Sequence, residues 1–398
     1  MAAVVILGDP HIGKGLSSLG KPGVGSSLGS RLIDQIKILE WTLDRAVEVM
    51  ASDIIITGDV FQDAKPHPTI ITLFISWLKK CADSGLKVHI IMGNHELMRS
   101  GQFTMSPLDI VYAADMENIF VYKDISTIHM NGAAFTLMPF RDRRSFNVDL
   151  NSEAVKLLQD KLPYELAEID RNSAKIVVGH LAIEGSLPVG DEISDMSNEL
   201  FCSFDMFKGY DYVWMGHIHK PQVMQKTPHI AHIGSMDLSD YGETDHKKIL
   251  VIFDPDAAEP VKHLEIPTRP LNQLSISVPV NITSTTDYIL KEIEKSTILK
   301  NSIMKLNVIM EDQNAPSIDR AEIERSLTSR GAYHITRINE ERKVSLLKKS
   351  TEEKIDNTVN EHTAIRTYAH ANVDEQIREN FISLANSVVK EFDNKLRN

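Results

Sequence analysis

Five short motifs follow one another along the 398-residue chain: Asp9-Pro10-His11, Gly58-Asp59-Val60-Phe61, Gly93-Asn94-His95-Glu96, Gly179-His180 and Gly216-His217-Ile218-His219. Together they supply two Asp, one Asn and five His, enough to hold two metal ions with one histidine to spare. Two divalent ions about 3.5–4 Å apart can bind both the attacking and the leaving oxygen of an in-line phosphoryl displacement. One ligand must bridge them, and Asp59, in the middle of the set, has the two oxygens and the charge to do so. Asp9 and His11 lie two residues apart, a spacing that puts both side chains on one side of an extended segment. His217 and His219 repeat that spacing. Asn94 offers a neutral carbonyl oxygen and His180 an imidazole. His95 is the spare histidine, suited to contact the phosphate and protonate the leaving oxygen as a general acid. Nitrogen and oxygen donors without thiolate favour Mn, Fe, Zn or Co over Ca or Mg. Ions of this kind make hydroxide available near neutral pH. The chemistry indicated is two-metal hydrolysis of a phosphate ester.

A lone Asp-x-His or Gly-His means little, and motif matches gain weight only from context. Here each motif follows a short apolar run, at 4–7, 54–57, 88–92, 175–178 and 212–215. Each therefore falls where a strand gives way to a loop, the place where α/β sheets bind ligands. Between the runs, Leu32, Ile36, Leu39, Leu43 and Val47 form one apolar helical face. A second helix is expected from about Thr69 to Ser84, stopped by Gly85. Strands alternating with helices predict an α/β layer fold. After a strand at 248–253 the chain turns through Pro-rich punctuation into a smaller α+β module. Its expected order is strand 273–280, helix 284–295, strand 303–310, helix 318–329 and strand 333–338. The domains expected are 1–267, 268–346 and 347–398, the last a polar linker and a terminal helix. In that helix Ile377, Phe381, Leu384, Val388 and Phe392 form a stripe that either packs back on the chain or docks on a partner.

No run approaches the roughly 20 apolar residues of a membrane span, and the first residues lack the pattern of a signal peptide. The two cysteines, Cys81 and Cys202, form no disulfide framework and read as packing residues, which points to a reducing compartment. A net charge of −12 lacks the excess of a nonspecific nucleic-acid binder, although bound dications would place positive charge where a phosphate must sit. The Gly- and Ser-rich stretch from Lys14 to Ser30 reads as a long flexible loop, and it contains no ATP-binding phosphate loop. His67, His89, His129, His229 and His232 read as core or surface residues. Glu96 either orients a neighbouring site residue or caps a helix. Arg141-Asp-Arg-Arg144 is either a DNA-backbone contact or a solvated cluster.

These motifs resemble the calcineurin-like metallophosphoesterase superfamily, whose pattern D-x-H, G-D, G-N-H-[DE], H, G-H-x-H is matched in full. More narrowly, Gly58-Asp-Val-Phe-Gln, Gly216-His-Ile-His-Lys-Pro-Gln and Gly234-Ser-Met-Asp-Leu-Ser-Asp resemble the nuclease subunit of SbcCD-type DNA repair complexes. The resemblance implies an α/β fold, a β-sandwich flanked by helices with a smaller α+β capping domain and a helical tail. It implies that Asp9, His11, Asp59 and His219 hold one manganese and that Asp59, Asn94, His180 and His217 hold the other, with His95 acting on the scissile phosphate. It further implies DNA exonuclease and single-strand endonuclease activity, a homodimer, and an SMC-like ABC-type ATPase (SbcC-type) bound through the C-terminal helix. A cytoplasmic, nucleoid-associated location follows, or the host cytoplasm for a phage-encoded chain. Gln62 departs from relatives that carry His or Asp there, which leaves the exonuclease–endonuclease balance open. A stand-alone enzyme acting on small phosphate esters or cyclic nucleotides is the competing reading.

Overall fold

A computed structural model describes residues 2–21, 29–100, 103–189, 199–312, 314–343, 365–366, 368–370, 373 and 377–396. They fall into two compact units, Met1–Lys343 and Val344–Asn398. The first unit is built on two six-stranded sheets. One contains β1 (Val4–Leu7), β2 (Asp53–Ile56), β3 (Lys87–Ile91), β6 (Ile119–Tyr122), β15 (Ile249–Phe253) and β16 (Val261–Glu265), with β4 (Met98–Ser100) and β5 (Phe103–Met105) forming a small antiparallel pair apart from it. The other contains β7 (Ser126–Met130), β8 (Ala133–Met138), β9 (Ala174–Gly179), β12 (Tyr212–Met215), β13 (Gln222–Gln225) and β14 (His229–His232). A short parallel pair, β10 (Ala182–Ile183) and β11 (Phe201–Cys202), stands apart.

In the first sheet the order is β16-β15-β1-β2-β3-β6, parallel from β1 to β6 and antiparallel at β15 and β16. The second runs β13-β14-β12-β9-β8-β7, with a parallel centre and one antiparallel strand at each edge. Central parallel strands are covered on both faces, so they read as continuous apolar runs; β1 and β2 are buried at every position. The sheets share one core, in which Val4, Ile6 and Ile55 meet Phe135, Val178 and Trp214. The outer face of the first sheet packs on α1 (Ser30–Glu48), α2 (Pro68–Asp83) and α3 (Leu108–Ala113). The outer face of the second packs on α4 (Asn151–Ala167). The fold is therefore α/β, a two-sheet sandwich flanked by helices, as the motif resemblance implied.

Helix α1 departs from its predicted face. Val47 is 51% exposed, whereas Gln35, Ile38, Thr42 and Ala46 are buried with Leu39 and Leu43. The stripe is rotated because Gln35 is used inward. Its side chain accepts from Gly13 N at 3.0 Å and donates to Lys14 O at 3.0 Å, fixing the loop after β1. That loop is also less free than its composition suggested: Leu19 packs with Leu238, Leu271 and Ile303, while residues 22–28 lie outside the described residues.

The smaller module is a parallel three-stranded sheet of β17 (Leu271–Val278), β18 (Ile303–Met310) and β19 (His334–Arg342), covered by α5 (Thr285–Lys295) and α6 (Arg320–Ser329). Both helices start on side-chain caps, Ser284 accepting from Asp287 N and Asp319 from Glu322 N. Arg269 ties its entry to α1 through both oxygens of Asp34, at 2.7 and 2.8 Å. The predicted linker falls mostly outside the described residues. In the second unit, α7 (Arg378–Leu396) keeps Ile382 buried but leaves Leu384 and Val388 more than half exposed, as is Ile377 just before it, while the side chain of Phe392 lies outside what is described. Most of the predicted stripe is thus an open apolar face among the described residues.

Because Phe135 sits fully buried between the two sheets, Phe135→Ala should cost about 3–5 kcal/mol of stability. Urea denaturation checks this, and a loss below about 1 kcal/mol would mean that the sheets do not share this core.

Candidate metal centre

All five motifs lie at the carboxyl ends of strands: Asp9 and His11 after β1, Asp59 after β2, Asn94 and His95 after β3, His180 after β9, and His217 and His219 after β12. The two sheets deliver them to one place. Asp59 Oδ2 lies 3.4 Å from His11 Nε2 and 3.2 Å from His180 Nε2, between two groups of rings. On one side His219 Nε2 meets His11 Nε2 at 2.9 Å, with Asp9 within reach. On the other, Asn94 Oδ1 faces His180 Nε2 at 2.9 Å and His217 Nδ1 at 3.0 Å. Asp9, His11, Asp59, His180 and His219 are almost wholly buried.

The far nitrogen of most rings is engaged. Thr57 O meets His180 Nδ1 at 2.9 Å and Gln62 O meets His95 Nδ1 at 2.7 Å. Carboxylates stand near the other two, Glu199 at 3.4 Å from His217 Nε2 and Glu243 at 3.5 Å from His219 Nδ1. Such partners orient the ring of a metal-ligating histidine and fix its tautomer. His11 Nδ1 is buried without a hydrogen-bond partner.

The donor set fits a metal. A backbone carbonyl can only accept, so the Thr57 contact places a proton on His180 Nδ1. His180 Nε2 then carries a lone pair aimed at Asn94 Oδ1 and Asp59 Oδ2, themselves acceptors. Without a cation, only a doubly protonated imidazole satisfies that geometry. Burial opposes the charge, yet Asp59 and Asp9 hold His180 well above the ordinary histidine range. A divalent ion among these acceptors removes the conflict and lets each ring stay neutral.

Backbone strain marks the same residues. His11, Asp59 and His217 adopt φ of 42°, 46° and 78°, a region costly for side-chain-bearing residues and concentrated at functional sites. The expectation that Asp9 and His11 lie on one extended segment is thereby corrected. β1 ends at Leu7, and a left-handed turn at His11 brings the ring round. Motif glycines admit the carboxylates: a Cβ on Gly93 would overlap Asp59, and one on Gly216 would overlap Asp9.

Thr57 carried no motif signal, yet its Oγ1 donates to Asp9 Oδ1 at 2.8 Å, and the backbone N of the motif residue His217 donates to Asp9 Oδ2 at 2.6 Å. Glu96 is fully buried and accepts from Phe61 N at 3.0 Å and Gly93 N at 2.9 Å, clamping the loops after β2 and β3. Burial, with the Asp59 charge, pushes its carboxyl up to about 8, against those two bonds. Gln62 holds His95 through its backbone carbonyl, so its departure from relatives does not alter that contact. The arginine cluster is engaged locally: Arg141 contacts Asp124 at 2.8 Å and the carbonyls of Phe140 and Lys123, and Arg144 lies 3.5 Å from Asp142.

A family model for calcineurin-like phosphoesterases matches residues 2–221. The chain is 25% identical over 285 residues to the SbcCD nuclease subunit of Staphylococcus epidermidis, covering 69% of this chain and 71% of that protein. Among solved structures, a dimetal phosphatase from Danio rerio aligns at 10% identity and TM-score 0.39, over 67% of this chain and 99% of its own. A cold-active protein-tyrosine phosphatase of a psychrophilic Shewanella aligns at 14% identity and TM-score 0.28, over 67% and 80%.

Gly93→Ala should displace Asp59 and lower divalent-metal affinity at least about tenfold, as loss of a supporting contact commonly does, while the far-UV circular dichroism persists. Calorimetric titration with unchanged affinity would show that the Asp59 position is not critical.

Proposed function

The chain belongs to the calcineurin-like phosphoesterase family, whose members are metal-dependent hydrolases, and from that premise we propose that it is a manganese-dependent DNA nuclease. In this reading it serves an SbcCD-type repair and recombination complex as exonuclease and single-strand endonuclease. The observation that carries the step from phosphoesterase to nuclease is the 25% identity with an SbcCD nuclease subunit across 69% of the chain. Asp9, His11, Asp59 and His219 would hold one Mn2+, and Asp59, Asn94, His180 and His217 the other. Bound there, the ions would supply a hydroxide nucleophile and positive charge for the phosphate oxygens.

The chain's own groups divide the remaining work. Asp59 Oδ1 accepts from His95 N at 2.9 Å, and Gln62 O fixes His95 Nδ1, so the ring is locked from two directions. His95 Nε2 then faces the site, 4.0 Å from Asp59 Oδ2. The His95 side chain is 26% exposed where that of Asp59 is 2% exposed, which suits a group that must touch substrate. With its Nε2 protonated, His95 donates to the leaving oxygen of the scissile phosphodiester, the role of a general acid. Phe140, 6% exposed, packs beside the other group of rings, its centroid 5.9 Å from His217 and 6.3 Å from His180.

Residues 268–346 would serve as the capping domain against DNA. The open face of Ile377, Leu384 and Val388 would dock the SMC-like ATPase, helix-in-groove fashion. A homodimer would form through α2 and α3, the latter of which exposes Ile110 and Tyr112. No helix among the described residues is long and apolar enough to cross a membrane, and the reading places the protein in the cytoplasm with the nucleoid.

With Mn2+, the full chain should shorten linear DNA. His95→Asn should lower that rate at least about 100-fold, the usual contribution of a positioned acid, with manganese stoichiometry retained. Rapid turnover of small phosphate esters with no action on DNA would overturn the nuclease reading and leave the phosphoesterase assignment intact. Removing residues after 370 should abolish co-purification with the ATPase subunit while manganese-dependent cleavage of single strands continues; unchanged co-purification would refute the docking role.

A further inference from the structure

Behind His219 lies a buried ion pair outside the motifs. Glu243 and Lys248 are each 1% exposed and meet at 2.9 Å. The pair reaches His219 twice. Glu243 Oε1 stands 3.5 Å from the ring Nδ1, and Lys248 Nζ donates to the His219 backbone carbonyl at 2.8 Å. Lys248 also donates to Ser235 Oγ at 2.7 Å, and Ser239 Oγ donates to Glu243 at 2.9 Å. The opposite ring nitrogen, Nε2, points at His11 and the centre of the site.

Two charges withdrawn from water are costly unless their geometry and hydrogen bonds compensate, and an apolar pair of similar volume is often as stable. Here the two groups grip the ring and the backbone of one histidine. The Lys14 ammonium, 3.4 Å from the same nitrogen, can only donate and so competes for Nδ1 when that atom is unprotonated. When Nδ1 carries the proton, Glu243 is the acceptor beside it, and Nε2 keeps its lone pair towards the centre. The short helical turn bearing Glu243 (Tyr241–Glu243) is itself pinned by Tyr241, whose hydroxyl meets Thr336 Oγ1 of β19 at 2.8 Å.

We infer that Glu243 is a positioning residue: with Lys248 it fixes the tautomer and orientation of His219, and thereby sets the affinity of the ion that His219 holds. This rests on the metal-ligand reading of His219. Partners of this kind typically contribute 10–100-fold to metal affinity.

The test is calorimetric titration of the metal-free full chain with Mn2+, alongside thermal melting without metal. Two variants are compared with the parent: Glu243→Gln, and the double variant Glu243→Gln with Lys248→Met, which leaves no orphaned lysine charge. Both should bind one ion at least tenfold more weakly and the other with parental affinity, and the double variant should melt in the parental range. Parental affinity for both ions in the double variant would overturn the inference, as would equal weakening of both. A parent that itself binds no pair of ions would overturn the metal-ligand reading and this inference with it. A parent that binds two while the variants match it would remove only Glu243's role.

Discussion

Two carboxylates are buried among imidazoles at the meeting point of two sheets, and they govern the rest of the structure. Asp9 and Asp59 are at most 1% exposed, and a buried charge is tolerated only when paired or ligating. Backbone N–H groups of His95 and His217 and the Thr57 hydroxyl satisfy some of their lone pairs. The remaining lone pairs turn inward with those of His180 and Asn94, so the centre is a convergence of acceptors. A bound cation resolves it while every imidazole stays neutral.

That demand accounts for features that would otherwise be faults. Left-handed backbone at His11, Asp59 and His217 is unfavourable locally, and each instance turns a strand end so that its side chain enters the centre. Gly93 and Gly216 allow backbone to lie against the carboxylates where any side chain would overlap them. The parallel strands make this arrangement available, because their carboxyl ends open on one rim and each contributes a residue or two. Local strain is then held by the shared apolar core between the sheets.

Much of this was legible in the chain. The apolar runs before the motifs became β1, β2, β3, β9 and β12 close to their predicted limits, and the smaller module followed its predicted order. What could not be read depended on contacts distant in sequence. Gln35 faces inward only because Gly13 and Lys14 lie beside it, so the α1 stripe rotated and Val47 fell outside. Thr57, Glu199 and Glu243 are unremarkable as single letters, and their proximity to ring nitrogens appears only once the strands are side by side. Arg141 reads by type as either a backbone contact or a solvated charge, and its pairing with Asp124 is a contact that spacing along the chain does not reveal.

The net charge of −12 also takes a different meaning beside this geometry. Attraction for a polyanion would arise at the centre itself, where bound dications reverse the local sign, rather than from a basic surface stripe. The most direct measurement is anomalous diffraction at the manganese edge from crystals grown with Mn2+. Two peaks about 3.5–4 Å apart are expected, with the Asp59 carboxylate between them. A single peak, or two peaks that do not share Asp59, would contradict that expectation.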